Sequence, residues 1–410
     1  MTICHIDLSN FYNAPEKQLE ILIQKLSEVK GCKQKLFYRK KLNNRFGNNP
    51  KISPEMVMMF QMKMNMYENI QHIIDAGNLE VIEFEKLYML SIRKEKYIEM
   101  IKECQLIHSH DRKSTILANY LFEKYKIPYV LTYHKPVIPD DRWYYKLMNL
   151  RVHKSYENAS KIITVSNYQQ KFLKKWNSKL DMKTIYNTPS FYLNKIDKGE
   201  SNFFRNPFTH TVIIGLVGKH MNIKNYELVV DVALRYIKKA PDIQFILIGE
   251  GLEGDAILRE KTVKLFNFKM QGYIINIEEH IEYFDAFILP SKNEALGATI
   301  VDMMELGKPV IASNVGGIPE LIEDGVNGYL FNPDSVDELE EKIDKLIGDP
   351  ILVERLKQMK LPWLEPIHYG ESTDFIKFIK TGKEKAKELS HDNFLKHHLE
   401  VYREIFPDDC

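Results

Sequence analysis

The 410-residue chain contains no run of 18 apolar residues, so no membrane-spanning helix is expected. Its start, MTICHIDLSN, has neither a basic leader nor an apolar core, and a secretory signal is not expected. Cysteine is scarce: Cys4, Cys32, Cys104 and Cys410 are widely spread and lack metal-ligand spacing. They read as reduced thiols of a cytoplasmic protein. Asp-x-Asp occurs nowhere, and internal repeats and low-complexity tracts are absent. The net charge is only +1, and no nucleic-acid partner is expected.

What is present is enough chain for two ordinary domains. Short apolar runs alternate with helical patterns, which argues an α/β fold with parallel sheets. Strands are expected at Cys4–Leu8, Lys35–Tyr38, Leu106–Ser109, Tyr129–Thr132, Lys161–Val165 and Thr184–Tyr186. In the second half they fall at Thr211–Val217, Gln244–Ile248, Phe268–Gln271, Ala286–Leu289, Pro309–Ala312 and Gly328–Phe331. The polar stretch Asn194 to Thr209 lacks periodicity and reads as a linker between domains 1–193 and 210–392. The last helix, 393–406, carries Phe394, Leu395, Leu399, Tyr402 and Phe406 at helical spacing. A second stripe, Met56, Met59, Met66, Ile70 and Ile73, reads as core or interdomain surface, or as an adaptable patch for a lipid or glycan. Residues 1–200 hold 33 Lys+Arg against 21 Asp+Glu, a net of +12. A basic half suggests that one domain faces an anionic partner; a mere drift of surface charge is the alternative.

The segment Ser291 to Glu320, SKNEALGATIVDMMELGKPVIASNVGGIPE, is the most informative. Glu294 and Asp302 are separated by a little over two helical turns. A helix beginning near Gly297 leaves Glu294 in the preceding loop and Asp302 within the helix, so both can face one ligand. Gly297-Ala298-Thr299 can bring backbone N–H groups close to an anion. Strands run into this helix and into the Gly316-Gly317 turn, and such units place ligands at the carboxyl ends of parallel strands.

Pro290-Ser291, Glu294, Gly297, Asp302, Gly307, Pro309-Val310 and Gly316-Gly317 together resemble the nucleotide-sugar half of the family 4 retaining glycosyltransferases with the GT-B fold. The family's usual glycine is Ala295 here, and its second Glu is Asp302. The resemblance implies two Rossmann-like doubly wound domains facing a cleft, the last helix crossing back onto the first domain. It implies a sugar moved from a nucleoside diphosphate to a hydroxyl acceptor, without a metal or other cofactor. Glu294 then orients the sugar, beside Ala295, Leu296, Gly297 and Ala298, and Asp302 holds the ribose. In Gly218-Lys219-His220-Met221-Asn222-Ile223-Lys224, Lys219 and Lys224 stand where the family has cations on the diphosphate. Fixed cations there stabilise the charge that develops as the glycosidic bond breaks. Gly249 belongs to a Gly-Glu-Gly turn that admits a nucleotide, and Tyr273-Ile274 is placed beside the base.

In the first domain the resemblance is topological. Asn10 to Lys17 replaces the family's glycine loop with Ala14-Pro15, leaving Asn13, Glu16 and Lys17 as acceptor-side candidates. His134, after a strand, matches a histidine beside the donor sugar, and His110 is a further candidate. His108 is expected to pack or to bind backbone. Ser166 is read as a helix N-cap. The implied partners are a nucleotide-sugar donor, a glycan or lipid-linked acceptor and an anionic membrane surface, in the synthesis of bacterial surface polysaccharide or lipopolysaccharide. A nucleotide-sugar epimerase and a degenerate scaffold are the alternatives on the same fold.

Overall fold

The computed structural model describes residues 1–8, 14–38, 69–83, 95–134, 152–190, 212–239, 243–252, 255–274, 277–347 and 374–407. The expected linker 194–209, Asn13, and Met56, Met59 and Met66 lie outside them. The chain forms two compact units, Met1–Ser190 with Ser390–Cys410, and Phe191–Leu389.

The first unit is built on β1 (Thr2–Asp7), β2 (Lys33–Tyr38), β3 (Leu79–Glu83), β4 (Leu106–Ser109), β5 (Tyr129–Tyr133), β6 (Lys161–Thr164) and β7 (Met182–Thr184). They form one sheet in the order β3-β2-β1-β4-β5-β6-β7, every pairing parallel. The second unit holds β8 (Val212–Val217), β9 (Ile243–Ile248), β10 (Phe268–Gln271), β11 (Ala286–Leu289), β12 (Val310–Ser313) and β13 (Tyr329–Phe331). Their order is β10-β9-β8-β11-β12-β13, again all parallel. VIIGLV in β8 and the FILI end of β9 are near-continuous apolar runs, as strands covered on both faces require.

Helices cover these sheets with one apolar stripe each. In Tyr226–Lys239 the buried set Tyr226, Val229, Val230, Ala233 and Tyr236 recurs at helical spacing. Fully burying a side chain such as Tyr236 or Phe245 contributes roughly 2 kcal/mol. The helix Arg112–Tyr125 starts at a capping box in which Asp111 accepts from Lys113 N and Ser114 N. Ser166 caps the helix Asn167–Trp176 by accepting from Gln169 N, as its sequence position indicates.

Three details differ from the sequence reading. β7 covers Met182–Thr184, two residues earlier than expected. The charged edge strand β3, LEVIE, escapes an apolar search altogether. The helix His391–Ile405 turns Phe394, His398, Val401 and Tyr402 inward, whereas Leu395 and Leu399 are only half-buried. A histidine counts as polar in a sequence pattern, yet a neutral ring packs as an aromatic. The described end of the Met-rich stretch is core: Ile70 and Ile73 pack with Leu19, Ile23, Leu36 and Leu79.

Candidate active site

The order of the second sheet reverses between β8 and β11, which lie side by side. Loops leaving two such strands diverge, and ligands of open parallel sheets bind in the crevice they leave. Lys224 comes from the loop after β8 and Glu294 from the loop after β11. Lys224 Nζ is ion-paired with Glu294 Oε1, and Ser291 Oγ donates to the same oxygen at 2.9 Å. Both charged side chains are largely covered, with 20% and 14% exposure. A charged pair held in a partly dry site is stronger than one on the surface.

Two glycine turns set these loops. A Cβ on Gly249 would fall 1.8 Å from Gly218 O, so the turns after β8 and β9 touch backbone to backbone. Gly316, at φ +59, lies under Glu294, where a Cβ would fall 1.9 Å from Glu294 O. Gly317 N donates to that same carbonyl at 3.2 Å. The Gly316-Gly317 turn therefore holds the Glu294 backbone from below.

Lys219 is more open, and its Nζ lies 3.1 Å from Glu250 Oε1 in the Gly249-Glu250-Gly251 turn. Tyr273, just after β10, has its hydroxyl pushed up to about 12 by burial, then by the Glu278 and Glu250 charges. Both it and Ile274 are half-buried. Gly297 starts the helix Ala298–Glu305 at φ +92, so the turn needs glycine. Ala295 and Leu296 are buried, and Ala298 is half-buried. Asp302 lies inside that helix, 5% exposed and already engaged. An open groove of about 890 Å³, lined by His220, Asp255, Lys292 and Asp334 among others, includes neither Lys224 nor Glu294. The charged pair sits outside this groove, in the loops after β8 and β11.

The first sheet reverses its order between β1 and β4, and there histidines gather. Register places His5 opposite His108. His110 Nε2 is 3.4 Å from His5 Nδ1, and the His108 and His110 rings are 4.1 Å apart. His108 Nδ1 is hydrogen-bonded to Tyr402 Oη at 2.8 Å and its Nε2 to Thr132 Oγ1 at 2.8 Å. His108 packs as expected, fully buried against the rings of His110 and Tyr402, but it bonds two side chains rather than backbone. A void of about 10 Å³, lined by His110, His134, His398, Asn187, Thr132 and Gln18 among others, offers room for roughly one water.

Burial disfavours the charged ring in each case. It pushes His5 down to about 3, with His398 adding repulsion. His134 and His398 fall to about 4 for the same leading reason. His108 and His110 also lie well below the usual value, through burial first, then repulsion from His110 and the other histidines for His108 and from His5, His134 and His398 for His110. All five rings are neutral at pH 7. The Nε2 atoms of His5 and His134 are buried without a hydrogen-bond partner among the described residues.

Ligand atoms of His5, His108 and His110 lie within 4.8 Å of one another. Both His108 nitrogens are taken, and Asp111 is occupied by the helix cap and by Leu8 N at 2.8 Å. His5 Nδ1 and His110 Nε2 face each other at 3.4 Å, so as it stands the cluster offers fewer free nitrogens than the three protein ligands a catalytic zinc ion uses. Of the acceptor-side candidates, Glu16 is buried and Lys17 half-buried in the first turn of the helix Ala14–Ser27. Its neighbour Gln18 locks that helix to Thr188 through bonds of 2.8 and 3.0 Å.

Sequence reasoning gave Lys224 to the diphosphate and Glu294 to the sugar without pairing them, and it missed Ser291 beside Glu294, Glu250 beside Lys219, Tyr226, and His5 and His398 in the first unit. Ser291 was legible as a hydroxyl three residues before the carboxylate. His5 and His398 carry no local signal.

The sequence matches the family described as Glycosyl transferases group 1 over residues 211–349, and Glycosyltransferase Family 4 over residues 70–188. An uncharacterized glycosyltransferase of Methanocaldococcus jannaschii is 28% identical over 322 residues, spanning 73% of this chain and 75% of that protein. The α-D-kanosaminyltransferase of Streptomyces kanamyceticus is 29% identical over 158 residues, 37% of this chain and 40% of that relative's length. An uncharacterized 41.2 kDa protein in the cps region of Klebsiella pneumoniae is 24% identical across 74% of this chain and 85% of its own. Among solved structures, Anabaena HepE in complex with UDP and glucose has a TM-score of 0.73 at 19% identity, covering 98% of this chain and 100% of that one. At that identity the likeness establishes the fold, two Rossmann-like units of the GT-B type.

Proposed function

We propose, from the premise that the chain belongs to the group 1, family 4 glycosyltransferases and has their GT-B fold, that it moves a sugar from a nucleoside diphosphate to a hydroxyl acceptor with retention of configuration. The observation that carries the reading is the Lys224–Glu294 pair where the second sheet reverses its order. A dianionic diphosphate entering there draws Lys224 from Glu294 and Lys219 from Glu250. Glu294, released from its lysine, accepts hydrogen bonds from sugar hydroxyls while Ser291 holds its other contact. Asp302 is assigned to the ribose, and Tyr273-Ile274 to the base.

Chemistry then needs no enzyme nucleophile. The bond between the anomeric carbon and the diphosphate breaks, and the acceptor oxygen bonds that carbon on the same face. The departing diphosphate oxygen takes the acceptor's proton. Lys219 and Lys224 stabilise the charge on the leaving group, in place of a divalent ion. Positioning of the two reactants supplies much of the rest. His134, being neutral, serves as a hydrogen-bonding group toward the sugar rather than as a cation. Asn13, Glu16, Lys17 and His110 are assigned to the acceptor side.

The donor is assigned to the UDP-sugars, since a relative of this fold was solved with UDP and glucose. The product is placed in bacterial surface polysaccharide or lipopolysaccharide, supported by the relative from a cps region. A cytoplasmic protein held peripherally on an anionic membrane fits the +12 balance of residues 1–200. Among the described residues, no helix is long and apolar enough to cross a membrane. Sedimentation with anionic liposomes at low and high salt checks the surface; protein left in the supernatant at low salt argues for a soluble acceptor.

Incubation with a panel of nucleotide sugars, with and without glycan acceptors, tests the activity. Product that forms only with acceptor and keeps the donor's anomeric configuration supports the reading. Epimer without acceptor, an inverted product, or no turnover refutes it.

A further inference from the structure

Tyr226 opens the helix Tyr226–Lys239, one residue after Asn225 turns the chain through a left-handed conformation at φ 55 and ψ 36. Its side chain is 3% exposed. The ring belongs to the core with Val229, Val230 and Leu216, but the hydroxyl does not share that role. Its oxygen is buried and has no hydrogen-bond partner among the described residues. A phenylalanine would fill the same ring space without leaving a polar atom unpaired, so packing alone does not account for the oxygen.

The hydroxyl faces the candidate diphosphate site. A Cβ built on Gly218 would lie 2.7 Å from Tyr226 Oη and 3.8 Å from Lys224 Cε, with no other contact inside 4 Å. The space beside Gly218 is thus bordered by a hydroxyl donor and by the stem of the lysine that is paired with Glu294. Glu294 is near enough for its charge to disfavour ionisation of the phenol, after the larger effect of burial. The group therefore stays a neutral O–H donor throughout the working range. Glycine at 218 leaves that side of the turn open, where any other residue would press a methyl carbon onto the hydroxyl.

We infer that Tyr226 is a diphosphate-binding residue: when Lys224 leaves Glu294 for the donor, the Tyr226 hydroxyl donates to a phosphate oxygen beside Gly218. This inference rests on the donor site proposed above. The hydroxyl and the lysine stem border the same space beside Gly218, so a phosphate that draws the lysine there meets the hydroxyl as well. Binding then satisfies a donor that folding left unpaired, so the hydroxyl favours the bound state over the free one. A tyrosine here weakens the free fold and strengthens the complex, a combination that a purely structural residue does not show.

Tyr226→Phe tests it, with calorimetric titration of UDP, GDP and ADP, and of the matching nucleosides, into wild type and variant. For the diphosphate that wild type binds best, the variant should lose roughly tenfold in affinity, the worth of one hydrogen bond to a charged group. Nucleoside binding should not change, and the free variant should melt at the same temperature as wild type or higher. Equal diphosphate affinity in the two proteins overturns the inference and leaves the donor site standing. So does a loss confined to turnover, which would assign the hydroxyl to Glu294. Wild type that prefers no diphosphate over its nucleoside overturns the donor site and this inference together.

Discussion

Mild acid should unfold the first unit, because its histidine cluster is neutral in the fold and charged outside it. An unfolded histidine titrates near 6.5, whereas His5 titrates near 3, and His134 and His398 near 4. Below pH 6.5 the unfolded chain binds protons that the folded one refuses, so stability falls as pH falls. At pH 5 each such ring costs about 2 kcal/mol, and the three together cost about 6 kcal/mol, if unfolding is two-state. That is comparable with the whole stability of an ordinary domain, roughly 5–15 kcal/mol. His108 and His110 add to the loss in the same direction. Other groups facing the cluster do not reverse the sign. Asp7 favours the charged His134 but is outweighed by burial. Lys183 and His397 disfavour a charged His398, against the Phe394 carbonyl that favours it. Gln34 favours a charged His5, again less than burial opposes it. Asp111 opposes the trend, since burial and Asp7 raise it. The depressed carboxyl of Glu400, held down by Lys183 and then His397, loses its stabilisation only at lower pH, below the pH 7.5 to 5 window. Urea unfolding from pH 7.5 to 5, with hydrogen exchange of β1 and β4 amides corrected for intrinsic rates, measures the effect. Stability flat across that range refutes the argument.

Glu294→Gln should abolish transfer with the fold intact, while nucleoside diphosphate affinity is kept or raised because Lys224 loses its competing carboxylate; near-wild-type turnover sinks the assignment. Lys219→Ala and Lys224→Ala should each weaken diphosphate binding by roughly 1.5–3 kcal/mol and leave nucleoside binding nearly unchanged. Equal losses for both ligands would show that these lysines do not touch phosphate. Activity should survive a divalent-ion chelator, given two protein cations at the site; a complete and metal-reversible loss would overturn that.

The second unit was legible because its chemistry is local in sequence. Glu294, Gly316 and Gly317 come from one run of residues, and Gly218, Lys219 and Lys224 from another. The unforeseen residues are those that only folding brings in. Four described strands, β2 to β5, separate His5 from His134, and parallel pairing of β1 with β4 sets His5 beside His108. His398 arrives from the helix His391–Ile405 at the far end of the sequence. Tyr226 carries no local signal in the sequence, and its hydroxyl gains meaning only from the fold, which sets it beside Gly218. β3 was missed because Glu80 and Glu83 break an apolar pattern that an edge strand, paired on one side, does not need.

The two sheets reverse their order at points of different electrical character, ion-paired charges in the second and buried neutral histidines in the first. At β8 and β11 the lysines and carboxylates neutralise one another, so cations are held in place without a net charge to destabilise the loops. A ligand must then do more than be anionic to bind well. On the proposed reading, a bare phosphate would take Lys224 and leave Glu294 without its partner, whereas a sugar nucleotide would take the lysine and give Glu294 hydroxyl donors in return. Selectivity for the complete donor over the spent diphosphate would follow from that exchange. Beside β1, β4 and β5 the groups are neutral rings, and among the described residues the Nε2 atoms of His5 and His134 have no hydrogen-bond partner. Neutral rings of this kind can exchange hydrogen bonds with uncharged hydroxyls but supply no cation to an anion.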